Sequence, residues 1–298
     1  MLVKNFDHLL ELVKHKRKMK IAVVVAEDLE VLKVVSKAEE MELAEFILLG
    51  DTTKIKKIIN ENKLSVSAEM IDEKDHKQAS EKAVDMIVSG EVDTIKKGML
   101  HTDIFMKAIL DKKKGLNTGK RISHVAVIEK ENKDGLLMIT DCGITIDPDL
   151  MAKKMILENA VELAHKLGYE KPKVAVLAST EVINPAMQDT VDAAVLSKMS
   201  ERGQIKGCIV EGPLALDNAI SMESAERKGI KGAVAGNADI IVVPQVTVGN
   251  TLSKAITFIA KKQVLSVLMG VAIPVVITSR TESMDGKILT IAMANYLS

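Results

Sequence analysis

Short runs of β-branched and apolar residues recur along the whole of this chain. Between many of them lie longer stretches with apolar residues every three or four positions. The runs fall at 21–26, 46–49, 69–71, 94–95, 125–128, 136–139, 174–178, 208–210, 240–243 and 275–278. Several, such as IAVVVA and VAVLA, are apolar without alternation, the pattern of strands buried on both faces. The stretches at 28–41, 74–88, 149–167, 185–201 and 250–269 carry helical spacing. Alternation of the two predicts an α/β fold with largely parallel sheets and covering helices. One pair breaks the rhythm. Only the polar stretch 129–135, ending in Asp134-Gly135, separates 125–128 from 136–139, which predicts a hairpin.

A chain of 298 residues suits one large domain or two of ordinary size. Residues 140–148 are turn-rich, with Asp141-Cys142-Gly143 followed by Asp147-Pro148, and mark either a domain boundary or an ordinary loop. The 41 basic and 41 acidic residues cancel, so no global field draws the protein to nucleic acid or to an acidic membrane. With 2% aromatics and no Trp, the stacking platforms of single-stranded nucleic-acid binders are missing too. Cys142 and Cys208 make neither a disulfide framework nor a zinc site, which fits a reducing compartment. The N-terminal residues lack the apolar core of a signal peptide, and no run reaches the roughly 18 apolar residues of a membrane span. A cytoplasmic protein is expected.

Five segments could carry chemistry. In 274–285, PVVITSRTESMD, a strand runs into Ser279-Arg280 and a polar turn that includes Asp285, before a last helix. Ligands of open α/β sheets collect beyond strand carboxyl ends, and a guanidinium is shaped to grip phosphate. Arg280 is one of only five arginines in a lysine-rich chain; the alternative is a surface ion pair. In 236–250, Gly249-Asn250 reads as a helix start able to hold an anion, or as a tight turn with an Asn cap. In 211–221, EGPLALDNAIS, Asp217 either faces a ligand or caps a helix. In 97–102, KGMLHT, Gly98 permits close approach to a ligand, and His101 and Thr102 offer donors; structural roles compete. In 139–149, ITDCGITIDPD, Cys142 is a nucleophile only if its thiol is accessible, and a buried Cys is the stronger reading. Asp141, Asp147 and Asp149 do not match a calcium loop, so no metal is expected. No P-loop or dinucleotide fingerprint follows any strand.

Taken in order, KGMLHT, ITDCGITIDPD, EGPLALDNAIS, GNADIIVVPQVTVGN and PVVITSR resemble the phosphate acetyl/butyryltransferase family, and more its butyryltransferase branch. The resemblance implies a two-domain fold like isocitrate and isopropylmalate dehydrogenases, with the site in the cleft. Residues 1–140 with 272–298 would form one domain and 141–271 the other. It implies reversible transfer of a short acyl group between coenzyme A and inorganic phosphate, with coenzyme A thioester as substrate, no cofactor, and a homo-oligomer. Ser279 and Arg280 match the family's catalytic Ser-Arg pair. His101 and Thr102, and Gly249 and Asn250, match substrate-binding positions, beside Asp217. The acetyltransferase branch has an Asp seven residues after its Ser, where this chain has Gly286; Asp285, one residue earlier, is the candidate base. Gln245 stands where many relatives have Asp. The same fold admits rivals: a phosphate acetyltransferase, a metal- and NAD-dependent decarboxylating dehydrogenase, or a non-catalytic ligand-binding module.

Overall fold

A computed structural model describes all residues except 112, 113, 115, 132–134 and 278–281. The chain divides into two compact units, each discontinuous. A terminal unit holds Phe6–Lys120 with Leu265–Ser298, and a central unit holds Met1–Asn5 with Arg121–Val264. The borders differ from 140/141 and 271/272 because the 121–140 stretch pairs into the central sheet rather than ending the terminal one.

The first part of the terminal unit runs α1 (Phe6–Lys14), β1 (Met19–Val24), α2 (Leu29–Glu40), β2 (Ala44–Gly50), α3 (Thr52–Glu61), β3 (Glu69–Asp72), α4 (His76–Val88), β4 (Thr94–Lys97) and α5 (Thr102–Ile109). The four strands are parallel in the order β3-β2-β1-β4, so every connection carries a helix. Three helices start on aspartates: Asp28, Asp51 and Asp75 cap α2, α3 and α4, accepting backbone N–H bonds within the first turn. Such a cap is worth roughly 1 kcal/mol and fixes where each strand hands over to its helix.

The central unit runs β5 (Ser123–Glu129), β6 (Leu136–Thr140), α6 (Leu150–Lys166), β7 (Lys173–Leu177), α7 (Gln188–Glu201), β8 (Ile209–Leu214), α8 (Leu216–Ile220), α9 (Met222–Arg227), β9 (Ile240–Val242) and α10 (Val246–Phe258). Its strands lie in the order β5-β6-β9-β7-β8. The β5–β6 pair is antiparallel, as the Asp-Gly turn predicts, and the other pairings are parallel. The core beneath α10 gathers Ala126, Ile139, Cys142, Leu177, Ile241 and Val243.

The chain then returns through β10 (Leu265–Met269) and α11 (Met284–Leu297) to the terminal unit. This corrects the helix expected over 250–269. The helix stops at Phe258, Lys261 takes a left-handed φ of 54°, and LSVLM is a buried strand. An apolar run of that length fits either period, and the turn between Phe258 and Leu265 contains no Gly or Pro to announce itself. Of the strand expected at 275–278, the described residues show a parallel bridge between Val276 and Lys96, with Val276 N donating to Ile95 O and Lys97 N to Val276 O, both at 3.1 Å; residue 278 lies outside the described residues.

Candidate functional site

In the central unit the carboxyl ends of β7, β8 and β9 open into a cavity of about 1280 Å³. Ala178 and Ser179 follow β7, Ala215 follows β8, and Pro244-Gln245 follow β9. Leu150 and Lys153 of α6, Val191 and Val195 of α7, and Val248 and Leu252 of α10 form the walls. The sheet places this concavity where parallel strands run out, and where helix starts leave backbone N–H groups to satisfy. Its lining surface is mostly apolar, interrupted by charged and polar side chains that include Asp147, Asp149, Lys153, Gln188, Asp189 and Asp192, a make-up that suits a small-molecule site. The strongest of those is a buried ion pair. Lys153 Nζ stands 2.6 Å from Asp192 Oδ2 with the side chains 7% and 6% exposed, and Gln188 Nε2 donates to Asp192 Oδ1 at 2.8 Å.

Three expected positions lie around this cavity. Gly249 and Asn250 sit one turn inside α10, which begins at Val246, so they do not form its start. Glycine is required at 249 for packing: a Cβ there would stand 2.4 Å from the Asp141 carbonyl oxygen. Asn250 Nδ2 donates to Cys142 O at 3.3 Å. Their neighbours Val248 and Thr251 line the cavity. Asp217 is an exposed residue of α8, with its carboxyl held below the usual range by Lys228, 3.1 Å away; Ala215 and Leu216 beside it line the cavity.

Residues 141–145, against which Gly249 packs, are organised by Asp141, which the sequence marks as opening a turn and as no match to a calcium loop. The buried Asp141 carboxylate accepts from the backbone N–H groups of His124 at 3.1 Å, Gly143 at 2.9 Å and Ile144 at 3.1 Å through Oδ1, and from Thr145 at 2.9 Å through Oδ2. An Asp opening a Gly-containing turn after a strand is the signal that could have found it. Asp149 is likewise a cap, accepting from Ala152 N at 2.7 Å at the start of α6. Burial holds His124 below its ordinary value, with Asp141 pulling the other way. Both cysteines are buried. Burial pushes the Cys142 thiol up to about 12, with the Asp141 charge adding to the shift, and the Cys208 thiol up to about 11.

In the terminal unit, Ser279 and Arg280 lie outside the described residues. What flanks them is described. On one side Val276 is bridged to Lys96 of β4. On the other, Glu282 accepts from Thr290 Oγ1 at 3.3 Å, and Ser283 caps α11 by accepting from Gly286 N at 3.1 Å. Asp285 is exposed in the first turn of α11, where the helix dipole favours a carboxylate. His101 is the N-cap residue of α5 without a side-chain cap bond, and Thr102 opens that helix; both are exposed. Gly98 serves backbone packing rather than ligand approach, because a Cβ would meet Val25 O at 2.1 Å. Lys96, which the sequence reading did not single out, is 2% exposed, and burial pushes its ammonium down to about 8. A lysine at the end of a short strand gives no sign in sequence of which way it points.

Among the described residues no group of three His, Cys, Asp or Glu could hold a metal ion, and no helix is long and apolar enough to cross a membrane.

The chain matches the family described as phosphate acetyl/butaryl transferase over residues 5–85 and 65–295. A phosphate butyryltransferase of Clostridium beijerinckii is 44% identical over 292 residues, covering 98% of this chain and 97% of its own length. A phosphate acetyltransferase of Thermotoga maritima is 41% identical over 288 residues, covering 97% and 98%. Among solved structures, a branched-chain phosphotransacylase of Enterococcus faecalis superposes with a TM-score of 0.82 at 28% identity, covering 94% of this chain and 98% of its own.

Proposed function

The chain belongs to the phosphate acetyl/butaryl transferase family, a family of acyltransferases, and from that membership we propose that it moves a short acyl group reversibly between coenzyme A and inorganic phosphate, butyryl in preference to acetyl. The observation that carries this reading is the 44% identity to a phosphate butyryltransferase over nearly the whole of both chains. We further place the two units in the isocitrate/isopropylmalate dehydrogenase-like arrangement with a cleft between domains, working in the cytoplasm as a homo-oligomer without metal or nicotinamide. The return of Leu265–Ser298 to the unit that holds Phe6–Lys120 supports that arrangement.

Acyl transfer is direct in this reading. A base takes the coenzyme A thiol proton, the thiolate attacks the carbonyl carbon of the acyl phosphate, and the carbon–oxygen bond to phosphate breaks. Asp285 is the base, Arg280 holds the departing phosphate through two oxygens, and Ser279 donates to the carbonyl oxygen as charge grows there. His101, Thr102, Gly249, Asn250 and Asp217 bind the substrates. The apolar part of the substrate is assigned to the cavity beyond β7, β8 and β9, whose borders include the neighbours of Asp217, Gly249 and Asn250.

The experiment that tests the reading is release of free thiol from acetyl-, butyryl- and branched acyl-CoA with phosphate. Butyryl-CoA should give the higher kcat/KM, because each added methylene in an apolar pocket is worth about 1–3 kcal/mol. Equal rates, or an acetyl preference, assign the chain to the acetyltransferase branch instead. Direct transfer also predicts that neither cysteine carries the acyl group. A thiol raised to about 12 or about 11 is almost wholly protonated at neutral pH and is a poor nucleophile. Cys142→Ala, Cys208→Ala and the double variant should keep most of the activity. A butyrylated cysteine caught by mass spectrometry during turnover would overturn the scheme.

A further inference from the structure

Residues 180–187 lie between β7 and α7 and span the rim of the cavity in the central unit: Ser179 before them and Gln188 and Asp189 after them all line it. The segment is tied down at both ends. On one side Glu181 accepts from Nδ2 of the buried Asn218 of α8 and pairs with Lys228 Nζ at 3.1 Å. On the other, Oγ1 of the buried Thr190 accepts from Asn184 N at 2.9 Å and lies 2.8 Å from Met187 O, while Asn184 Oδ1 accepts from Ala186 N at 3.0 Å. Between these anchors stand Val182 and Ile183, 70% and 56% exposed. Single exposed apolar side chains are ordinary. Two adjacent β-branched ones, held in a fixed loop at a cavity's edge, form an apolar contact whose ordering cost the fold has already met.

The cavity limits what that contact serves. At about 1280 Å³ it exceeds the roughly 300–1,000 Å³ of a site for a drug-sized ligand, so a butyryl group alone would leave most of it empty. The charged groups among its described lining residues are Asp147, Asp149, Asp189 and Asp192 against Lys153 alone, a balance that repels phosphate and diphosphate. Its neutral polar groups, which include the Ser179, Thr247 and Thr251 hydroxyls and the Gln245 amide, suit amides and hydroxyls of a ligand. A coenzyme A thioester meets these conditions in one part only. Its nucleotide end carries phosphates. The pantetheine arm and the acyl group are long and uncharged, with amides and a hydroxyl along the arm.

We infer that the cavity takes the whole uncharged arm of the acyl-CoA, pantetheine with its acyl group, and that Val182 and Ile183 pack on that arm at the rim, with the nucleotide end outside. The inference rests on the proposed transfer between coenzyme A and phosphate, and extends the assignment of the substrate's apolar part to this cavity. Val182 and Ile183 then set the affinity for acyl-CoA without touching phosphate or the reacting bond. A contact equally strong in the ground state and the transition state shows in KM and leaves kcat unchanged.

The test is thiol release with phosphate for wild type, Val182→Ser, Ile183→Ser and the double variant, with butyryl-CoA and with butyryl-pantetheine, which lacks the nucleotide. Serine adds no charge, and the bonds that hold the loop are made by other side chains. Each single variant should raise the KM for both thioesters by about 10-fold, the order of burying one such side chain, and the double variant by about 100-fold. The kcat, the KM for phosphate and the molar mass by light scattering should stay as in wild type, and Val182→Ile should behave as wild type throughout. A double variant whose KM for butyryl-CoA stays within about twofold of wild type overturns the inference. So does a rise confined to butyryl-CoA, or a butyryl-pantetheine that neither turns over nor inhibits, because either puts the loop against the nucleotide end. A rise that comes only with loss of an oligomer overturns it too, and makes a second copy of the chain the loop's occupant. A wild type that transfers nothing from butyryl-CoA to phosphate sinks the functional reading and this inference with it; an active wild type with any of the other outcomes sinks only the inference.

Discussion

Arg280→Ala is expected to lower kcat/KM for acyl transfer to phosphate by roughly 100- to 1000-fold, the loss found when one strong transition-state donor is removed. Three observations lead to this residue. It is one of five arginines in a chain whose basic residues are otherwise lysine. It follows a segment held against β4 at Val276 and precedes the cap of α11, so both approaches to it are fixed by the terminal unit. Its neighbour is the serine of the family pair. A guanidinium binds two phosphate oxygens at once, whereas an ammonium is a point charge and cannot reproduce that fork. Arg280→Lys should therefore recover only a small part of the loss. The defect should sit in the phosphate kinetics rather than in coenzyme A binding, with an unchanged circular dichroism spectrum. A near-wild-type Arg280→Lys, or a variant that loses only thermal stability, makes Arg280 a structural ion-pair residue and moves the phosphate site elsewhere.

What the sequence made legible follows from which signals are local. The runs IAVVVA, FILL and VAVLA became β1, β2 and β7 because strands buried on both faces must be apolar at every position. The Asp-Gly at the end of the short polar stretch 129–135 predicted the antiparallel β5–β6 pair for the same local reason. The errors lie where two local readings coincide. LSVLM suits a helix or a strand, and its pairing in space decided for the strand. Gly249 reads equally as a helix start or as a close contact; the Asp141 carbonyl, 108 residues away in the chain, decides for contact. Roles that depend on distant partners were the least visible. Of the four backbone donors to Asp141 three lie within the next four residues, and His124 joins them only once β5 and β6 are paired; Lys96 shows its burial only once the terminal sheet is packed. The segment 274–285 stood out in the sequence because it combined a strand end, a scarce residue type and a family pattern, and its Ser279 and Arg280 lie outside the described residues.

The Lys153–Asp192 pair belongs to the same invisible class, since its members are 39 residues apart on two helices, and it carries the second large effect. Asp192→Ala is expected to destabilise the protein by about 3–5 kcal/mol, because it strands the Lys153 ammonium in a buried site without its counter-charge. The loss is larger than any exposed pair would give, since surface pairs are worth about 0–1 kcal/mol. Gln188 compensates little: it donates to Asp192 Oδ1 in the wild type, and although its amide oxygen can turn to accept from the stranded ammonium, a neutral amide does not replace the counter-charge. Replacing both charges together, Lys153→Met with Asp192→Leu, removes the desolvation cost along with the attraction, and should return stability to near the wild-type level. Urea midpoints and Tm for the two single variants and the double would separate these terms, the cycle giving the coupling directly. If Asp192→Ala stays within about 1 kcal/mol of wild type, the pair behaves as a surface pair and water reaches it from the cavity. If instead the double variant is stable yet poorly active, the pair is retained for the substrate at the cavity wall rather than for the fold.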